Sequence, residues 1–216
     1  MLTSAIQRGV CVEAAGARLA GEIRMPPRPR GFVLFASNRE LMRLDRRQIG
    51  LGEALNDRGL GILLFDLVET TDDAEIEWDL EILTERLLGA TNWSLGQKGV
   101  GDVPIGFVGS GLGSAAALVV AAALGPPVCA VAVNGGRPDL ASDGLAKVEA
   151  ATLLVFASDD PVEAEAAIAA AAKLRGPQRI RNVPTHTRPG GSWQATSAIC
   201  RWMEWHLGSP GWRIGR

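Results

Sequence analysis

The sequence predicts an α/β protein: a three-layer α/β/α sandwich around a mostly parallel eight-stranded sheet, with an antiparallel hairpin at its N-terminal edge. Three observations carry this reading. From about residue 31 onward, short apolar runs alternate with helix-period segments, the pattern of a parallel sheet covered on both faces. Two shorter strand-like segments precede them, joined by a small-residue turn. A content of 47% hydrophobic and 21% charged residues in 216 residues supplies enough apolar surface for one large core.

The elements follow in chain order. Gly9–Glu13 and Ala17–Arg24, separated by Ala14-Ala15-Gly16, read as the hairpin, and Met25-Pro-Pro-Arg-Pro-Arg30 as a stiff linker. Strands are expected at Phe32–Ala36, Gly61–Val68, Pro104–Val108, Val128–Val133, Thr152–Ala157 and Ile180–Val183. Arg46–Arg58 reads as a helix, and Ile76, Leu80, Leu83 and Leu87 form one stripe of a second. Gly113–Leu124 is an Ala-rich helix able to lie close against a sheet. Val162–Leu174 is another, closed by Arg175-Gly176-Pro177, and Ser192–Leu207 is the last, with Ala195, Ile199, Trp202 and His206 on one face. No repeat or composition break marks a second unit. One domain over residues 1–216 is therefore expected, with 1–30 as hairpin and linker and 31–207 as the core.

Composition narrows the function. With 22 basic and 24 acidic residues the formal charge is -2, which lacks the electrostatic footprint of a nucleic-acid binder. Three separated cysteines (Cys11, Cys129, Cys200) and two histidines (His186, His206) fit no zinc site or disulfide framework, so neither metal nor cofactor is expected. The cysteines read as small buried hydrophobes. Tyrosine is absent, so imidazole chemistry must use His186 or His206. The longest apolar run, Ala115–Leu124, falls short of the ~20 residues of a membrane span. No apolar segment follows a basic start, so no secretory signal or membrane association is expected, and the default location is cytoplasmic.

The densest chemical signal is Gly106-Phe-Val-Gly-Ser-Gly-Leu-Gly-Ser-Ala-Ala-Ala-Leu118, a strand running through a glycine-rich turn into a helix. A dinucleotide fingerprint needs a different third spacing and a place in the first βα unit, and a P-loop needs a lysine that the turn lacks. A nucleophile elbow needs small residues two positions either side of the nucleophile, and Gly109 and Gly113 supply them. The residue between them is Gly111.

With this turn the chain resembles the α/β-hydrolase fold, and within it the dienelactone-hydrolase-like proteins, whose elbow reads like Gly-Ala-Ser-Thr-Gly-Ala-Ala-Ala-Ala-Leu. The resemblance spans roughly residues 30 to 207. It includes Leu63-Leu-Phe-Asp-Leu67, Asn134-Gly-Gly-Arg-Pro-Asp-Leu140, Thr152-Leu-Leu, Asp160-Pro-Val and Val183-Pro-Thr-His186. It implies a triad in chain order nucleophile, acid, base, with the acid at Asp160, or Asp159 one register earlier, and the base at His186. The nucleophile position falls on Gly111, which has no side chain to attack a carbonyl. Where the family often has a His-Gly-Ser-Gly-like loop supplying an oxyanion N–H, this chain has Ser37-Asn-Arg-Glu-Leu41. The other implied donor is the N–H of Leu112, with Ser37 and Ser110 as further binding residues.

Other residues carry competing readings. Ser110 is one position early for a nucleophile, and Ser114 lies inside the helix, where a hydroxyl tends to bond back to a carbonyl. Asp160, Pro161 and Glu163 also form a good helix N-cap, a role as strong as catalysis. His206 reads as packing at a helix C-terminus. Asp66, Arg137 and Asp139 sit at the C-terminal sheet edge, where local structure is the default role. Glu69–Glu77 reads as a solvated lid-like loop, and the six tryptophans suit core packing or a homodimer contact. The expected function is a hydrolase-like protein, weak or inactive, that binds a small-molecule ligand or ester or another protein. One alternative is an active ester hydrolase using Ser110, Ser114 or a His186-activated water; another is a scaffold with a closed pocket.

Overall fold

A computed structural model describes residues 5–184 and 191–208. Its eight strands are β1 (Ile6–Ala14), β2 (Ala17–Met25), β3 (Phe32–Ser37), β4 (Gly61–Phe65), β5 (Ile105–Ser110), β6 (Val128–Asn134), β7 (Ala151–Ala157) and β8 (Gln178–Val183). They form one sheet in the order β1-β2-β4-β3-β5-β6-β7-β8. β1 pairs antiparallel with β2, and β2 antiparallel with β4; the remaining neighbours are parallel. This is the expected architecture. The hairpin turn is tighter than Ala14-Ala15-Gly16: Ala14 and Ala17 pair across it, leaving Ala15 and Gly16 at φ 47° and 77°, the two positive values of a type I′ turn.

The helices are α1 (Arg46–Asn56), α2 (Leu80–Leu95), α3 (Gly113–Leu124), α4 (Pro161–Lys173) and α5 (Gly191–Gly208). Successive side chains of a strand point to opposite faces, so each buried strand feeds two cores. Phe32, Leu34, Phe107 and Val131 pack with α2, α3 and α4 on one face. Val33, Phe35, Val108 and Ala132 pack with α1 and α5 on the other. No helix among the described residues is long and apolar enough to cross a membrane.

Two expectations about the helices and loops change. The stripe from Ile76 is interrupted: Ile76–Trp78 is a single 3₁₀ turn, and α2 starts after Asp79, whose side chain accepts from the N–H groups of Glu81 and Ile82 at 2.9 and 3.1 Å. A side-chain acceptor that satisfies the first free N–H groups sets the helix start more firmly than one more apolar residue upstream. The acidic stretch is also less solvated than expected. Asp72 pairs with the buried guanidinium of Arg86, with Nη2 to Oδ1 at 2.8 Å, and Arg86 further donates to the Leu67 carbonyl at 2.8 Å. This arginine ties the loop after β4 to α2.

The bond from Arg86 holds the Asp72 carboxyl below its usual value against the opposing effect of burial, and the Glu69 N–H at 2.7 Å adds to it. A depressed native value means that the contribution is complete above about pH 4, where the unfolded carboxyl ionises, and is lost as pH falls through the native value. Replacing Arg86 by Met leaves the largely buried Asp72 carboxylate without its counter-ion and is expected to cost about 3–5 kcal/mol of unfolding free energy in urea titrations at pH 7. Asp72→Asn should flatten the acid limb of the stability profile, and an unchanged acid limb would contradict this role.

Candidate functional site

The sheet order places a crevice between β3 and β5. From β3 the chain crosses to β4 on one side, whereas from β5 it proceeds to β6 on the other, so their C-terminal ends diverge into separate loops, the usual place for a ligand in an open α/β sheet. Ser37 and Ser110 are paired neighbours at these ends. Asn38 follows the first and Gly111 the second.

Gly111 has φ +57°, a left-handed conformation that costs an L-residue about 1–2 kcal/mol and glycine little. The turn of an elbow is therefore present. Its tightness comes from close approach: a Cβ on Gly113 would lie 2.4 Å from the Ala36 carbonyl oxygen, so only glycine lets α3 start against β3. The Gly111 carbonyl accepts from Ser114 Oγ at 2.7 Å and from the Arg137 N–H at 3.1 Å, which fixes the turn from both sides.

Asn38 completes the arrangement. Its Oδ1 accepts from the Leu112 N–H at 2.9 Å, and its Nδ2 donates to the Glu77 carbonyl at 3.0 Å. The carboxamide orientation follows from these partners, since a flip would set donor against donor and acceptor against acceptor. Asn38 is 4% exposed. A Cβ placed on Gly111 would fall 2.1 Å from Asn38 Oδ1, so this amide fills the space that any side chain at position 111 needs. The loop carrying Asn38 is anchored by Asp66, which accepts from the Arg43 N–H and pairs with Arg43 Nε, both at 2.9 Å. Asp66 thus has the local structural role expected of it.

The other sequence-predicted residues distribute as follows. Asp160 caps α4, with Oδ1 accepting from the Val162 and Glu163 N–H groups at 3.0 Å each. The carboxylate that faces the Gly111 turn is Glu163. It lines a cleft of about 290 Å³ together with Ser110, Gly111 and Gly136, accepting from the Gly136 N–H at 3.0 Å and the Ala157 N–H at 3.3 Å. Sequence reasoning assigned Glu163 only to the cap. Ser110 borders this cleft, Ser37 is buried and accepts from the Arg39 N–H at 3.3 Å, and Ser114 is wholly buried. Arg137 and Asp139 form a two-bond ion pair at 2.9 and 2.7 Å. His186 lies outside the described residues.

A second cleft, of about 600 Å³, opens on the other side of the turn. Asn38, Trp78, Leu80, Leu112 and Leu140 form its mostly apolar wall, and Arg39 borders both clefts. Trp78 is 70% exposed there. Of the cysteines, Cys200 is buried as expected, but Cys11 is exposed because its strand lies in the edge hairpin with one face open. Burial pushes the Cys129 thiol up to about 11, leaving it protonated at neutral pH. His206 packs on Trp202 with ring centroids 4.3 Å apart, and burial lowers its pKa, which keeps it neutral near pH 7. Among the described residues no group of histidine, cysteine and carboxylate side chains is placed to hold a metal ion.

The fold can be matched to known structures. A dienelactone hydrolase from Anabaena variabilis superposes with a TM-score of 0.87 at 29% identity, over 94% of this chain and 99% of that one. The chain has the α/β-hydrolase fold in its dienelactone-hydrolase-like form. The esterase Est1E from Butyrivibrio proteoclasticus shares the fold at 16% identity (TM-score 0.76, covering 96% of this chain and all of the other). So does a dienelactone hydrolase-like promiscuous phosphotriesterase, P91, from metagenomic libraries, at 18% identity (TM-score 0.73, covering 95% of this chain and all of the other). Two Mycobacterium tuberculosis proteins provisionally named phosphoribosyl transferases are 37% identical over 209 residues, which is 94% of this chain but 47% of each relative. The chain therefore spans about half the length of the curated relatives it matches. No protein-family model matches it.

The Asn38–Gly111 contact has a measurable energetic signature. Gly111→Ala is expected to destabilise the protein by about 2–4 kcal/mol, through backbone strain plus displacement of a buried hydrogen bond. In an Asn38→Ala background the same substitution should retain only the strain, about 1–2 kcal/mol. Additive effects in a double-mutant cycle would show that the amide does not occupy the position.

Proposed function

We propose that this dienelactone-hydrolase-like chain does not perform covalent ester hydrolysis and instead binds a small, largely apolar molecule in the cleft beside Gly111. The observation that carries this reading is the Asn38 carboxamide. It fills the place of a side chain at the elbow and takes the Leu112 N–H, the donor that a hydrolase of this fold would aim at developing negative charge. The change is thus wider than one missing hydroxyl. In subtilisin, removing the nucleophile alone lowers kcat by about 10⁶, on the order of 8 kcal/mol of transition-state stabilisation. Here a donor for the oxyanion is engaged as well.

Serine rescue is disfavoured by placement. Ser114 gives its proton to the Gly111 carbonyl, and Ser110 precedes the turn's exposed position. A closed scaffold is disfavoured by the cleft of about 600 Å³, a volume within the ordinary range for small-molecule sites. Its apolar wall of Trp78, Leu80, Leu112 and Leu140, edged by Arg39, Arg137 and Glu77, suits a compact hydrophobic ligand with a polar end. The phosphoribosyl transferase name belongs to relatives twice as long, and nothing in the cleft favours moving that activity to this half.

A fluorophosphonate probe and p-nitrophenyl acetate are expected to give neither labelling nor turnover above buffer with the native protein. Labelling that is abolished by Ser110→Ala or Ser114→Ala would overturn the reading. A hydrophobic fluorescent probe such as anilinonaphthalene sulfonate should bind saturably, and Trp78→Ala should weaken that binding at least about fivefold, roughly 1 kcal/mol.

A further inference from the structure

At the edge of the sheet, away from the Gly111 turn, strand β8 and helix α5 enclose a groove of about 560 Å³. Its chemistry is unlike that of the elbow clefts. Arg179, Arg181 and Arg201 contribute three guanidinium groups, Trp202, Trp205 and His206 contribute aromatic surface, and among the described residues that line the groove none is acidic.

The backbone explains why these groups converge. Arg179 and Arg181 are two apart on β8 and therefore share a face. They pair in register with Leu153 and Val155, whose side chains belong to the core beneath α5. Both arginines are thus on the face toward α5. On that helix, Ala198, Arg201, Trp202 and Trp205 recur at helical spacing along one side. Small Ala198 leaves room where the arginines rise. Trp202 is held by its indole N–H on the Ala151 carbonyl at 3.1 Å and by the His206 ring, so one aromatic wall is fixed, and Trp205 adds a second that is 73% exposed.

Charged side chains on an edge strand commonly prevent sheet-to-sheet association. That role asks for charge pointing outward along the open edge and makes no use of a third arginine or of tryptophans on the facing helix. None of the ion pairs among the described residues uses Arg179, Arg181 or Arg201, although Glu204, three residues after Arg201, pairs with Arg30 and Arg58. Guanidinium groups match phosphate oxygens through paired N–H donors, and tryptophan faces stack on heteroaromatic rings. We propose that the β8–α5 groove binds a mononucleotide or similar phosphorylated heteroaromatic, with the phosphates on Arg179, Arg181 and Arg201 and the ring against Trp205. The groove volume lies within the range of small-ligand sites.

Isothermal titration of the native protein with ADP, adenosine and inorganic phosphate at low salt tests the assignment. ADP should bind saturably and at least about tenfold more tightly than either fragment, because it alone engages both the cationic and the aromatic wall. Arg179→Ala/Arg181→Ala should weaken ADP binding at least about tenfold, and Trp205→Ala should do so severalfold in protein whose circular dichroism shows the native fold. Trp78→Ala, in the elbow cleft, should leave ADP binding unaltered, which separates this site from the one proposed above. The proposal is overturned if ADP shows no saturable binding, if phosphate binds equally well, or if neither the arginine pair nor Trp205 affects it. Binding that strengthens steeply with oligonucleotide length would likewise replace it with a nucleic-acid surface.

Discussion

One side-chain amide, through two hydrogen bonds, links the three segments that meet at the carboxyl ends of β3, β4 and β5. The Asn38 carboxamide, at the end of β3, receives the Leu112 N–H from the turn after β5 and gives a proton to the Glu77 carbonyl in the loop after β4. The Leu112 N–H is buried and without this acceptor would be left unsatisfied, at a cost of about 1–3 kcal/mol, whereas the Glu77 carbonyl is only partly buried. The arrangement requires a residue with both an acceptor and a donor on one short side chain, and it requires position 111 to have no Cβ. Asparagine and glycine are thus a matched pair, and replacing either one strains the other.

Further features arrange themselves around that pair. Asp66 fixes the loop bearing Asn38 by binding Arg43, while Arg86 and Asp72 fix the loop leading to Glu77. Glu163 holds the Gly136 N–H, adjacent to the Arg137 N–H that bonds to the Gly111 carbonyl. An α/β sheet generates a crevice at this point whether or not chemistry occurs there, which is why fold alone does not decide activity. What the crevice presents here is an apolar wall, an arginine at its rim and an occupied amide donor.

Much of the fold is legible in the sequence because burial on both faces writes itself as continuous apolar runs. Phe32–Ala36, Val128–Val133 and Thr152–Ala157 could hardly be anything but central strands, and β-glycines with an Ala-rich continuation announce the turn into α3. Local chemistry is legible too: Asp160-Pro161 reads as a helix cap and is one. What periodicity hides is competition at element ends: Ile76 falls on the same stripe as Leu80, Leu83 and Leu87, yet the Asp79 cap starts α2 after it. Which face of an edge strand stays open is hidden as well: Cys11 reads as a buried residue of the edge hairpin, yet it lies on the exposed face of β1. The candidate site is only half legible. Gly111 stands out by spacing, but Asn38 reaches Leu112 across 74 positions, and Glu163 faces the turn because β6 and β7 bring Gly136 and Ala157 to it. Such contacts depend on strand order, which no local pattern encodes.

Hydrogen exchange at the Leu112 N–H, followed by NMR, reads out whether Asn38 occupies the amide donor of the turn. In the native protein this amide should be strongly protected, and Asn38→Ala should speed its exchange by more than about tenfold while Ala116, further into α3, keeps its protection. Equal exchange at Leu112 in both proteins would show that Asn38 does not hold this amide.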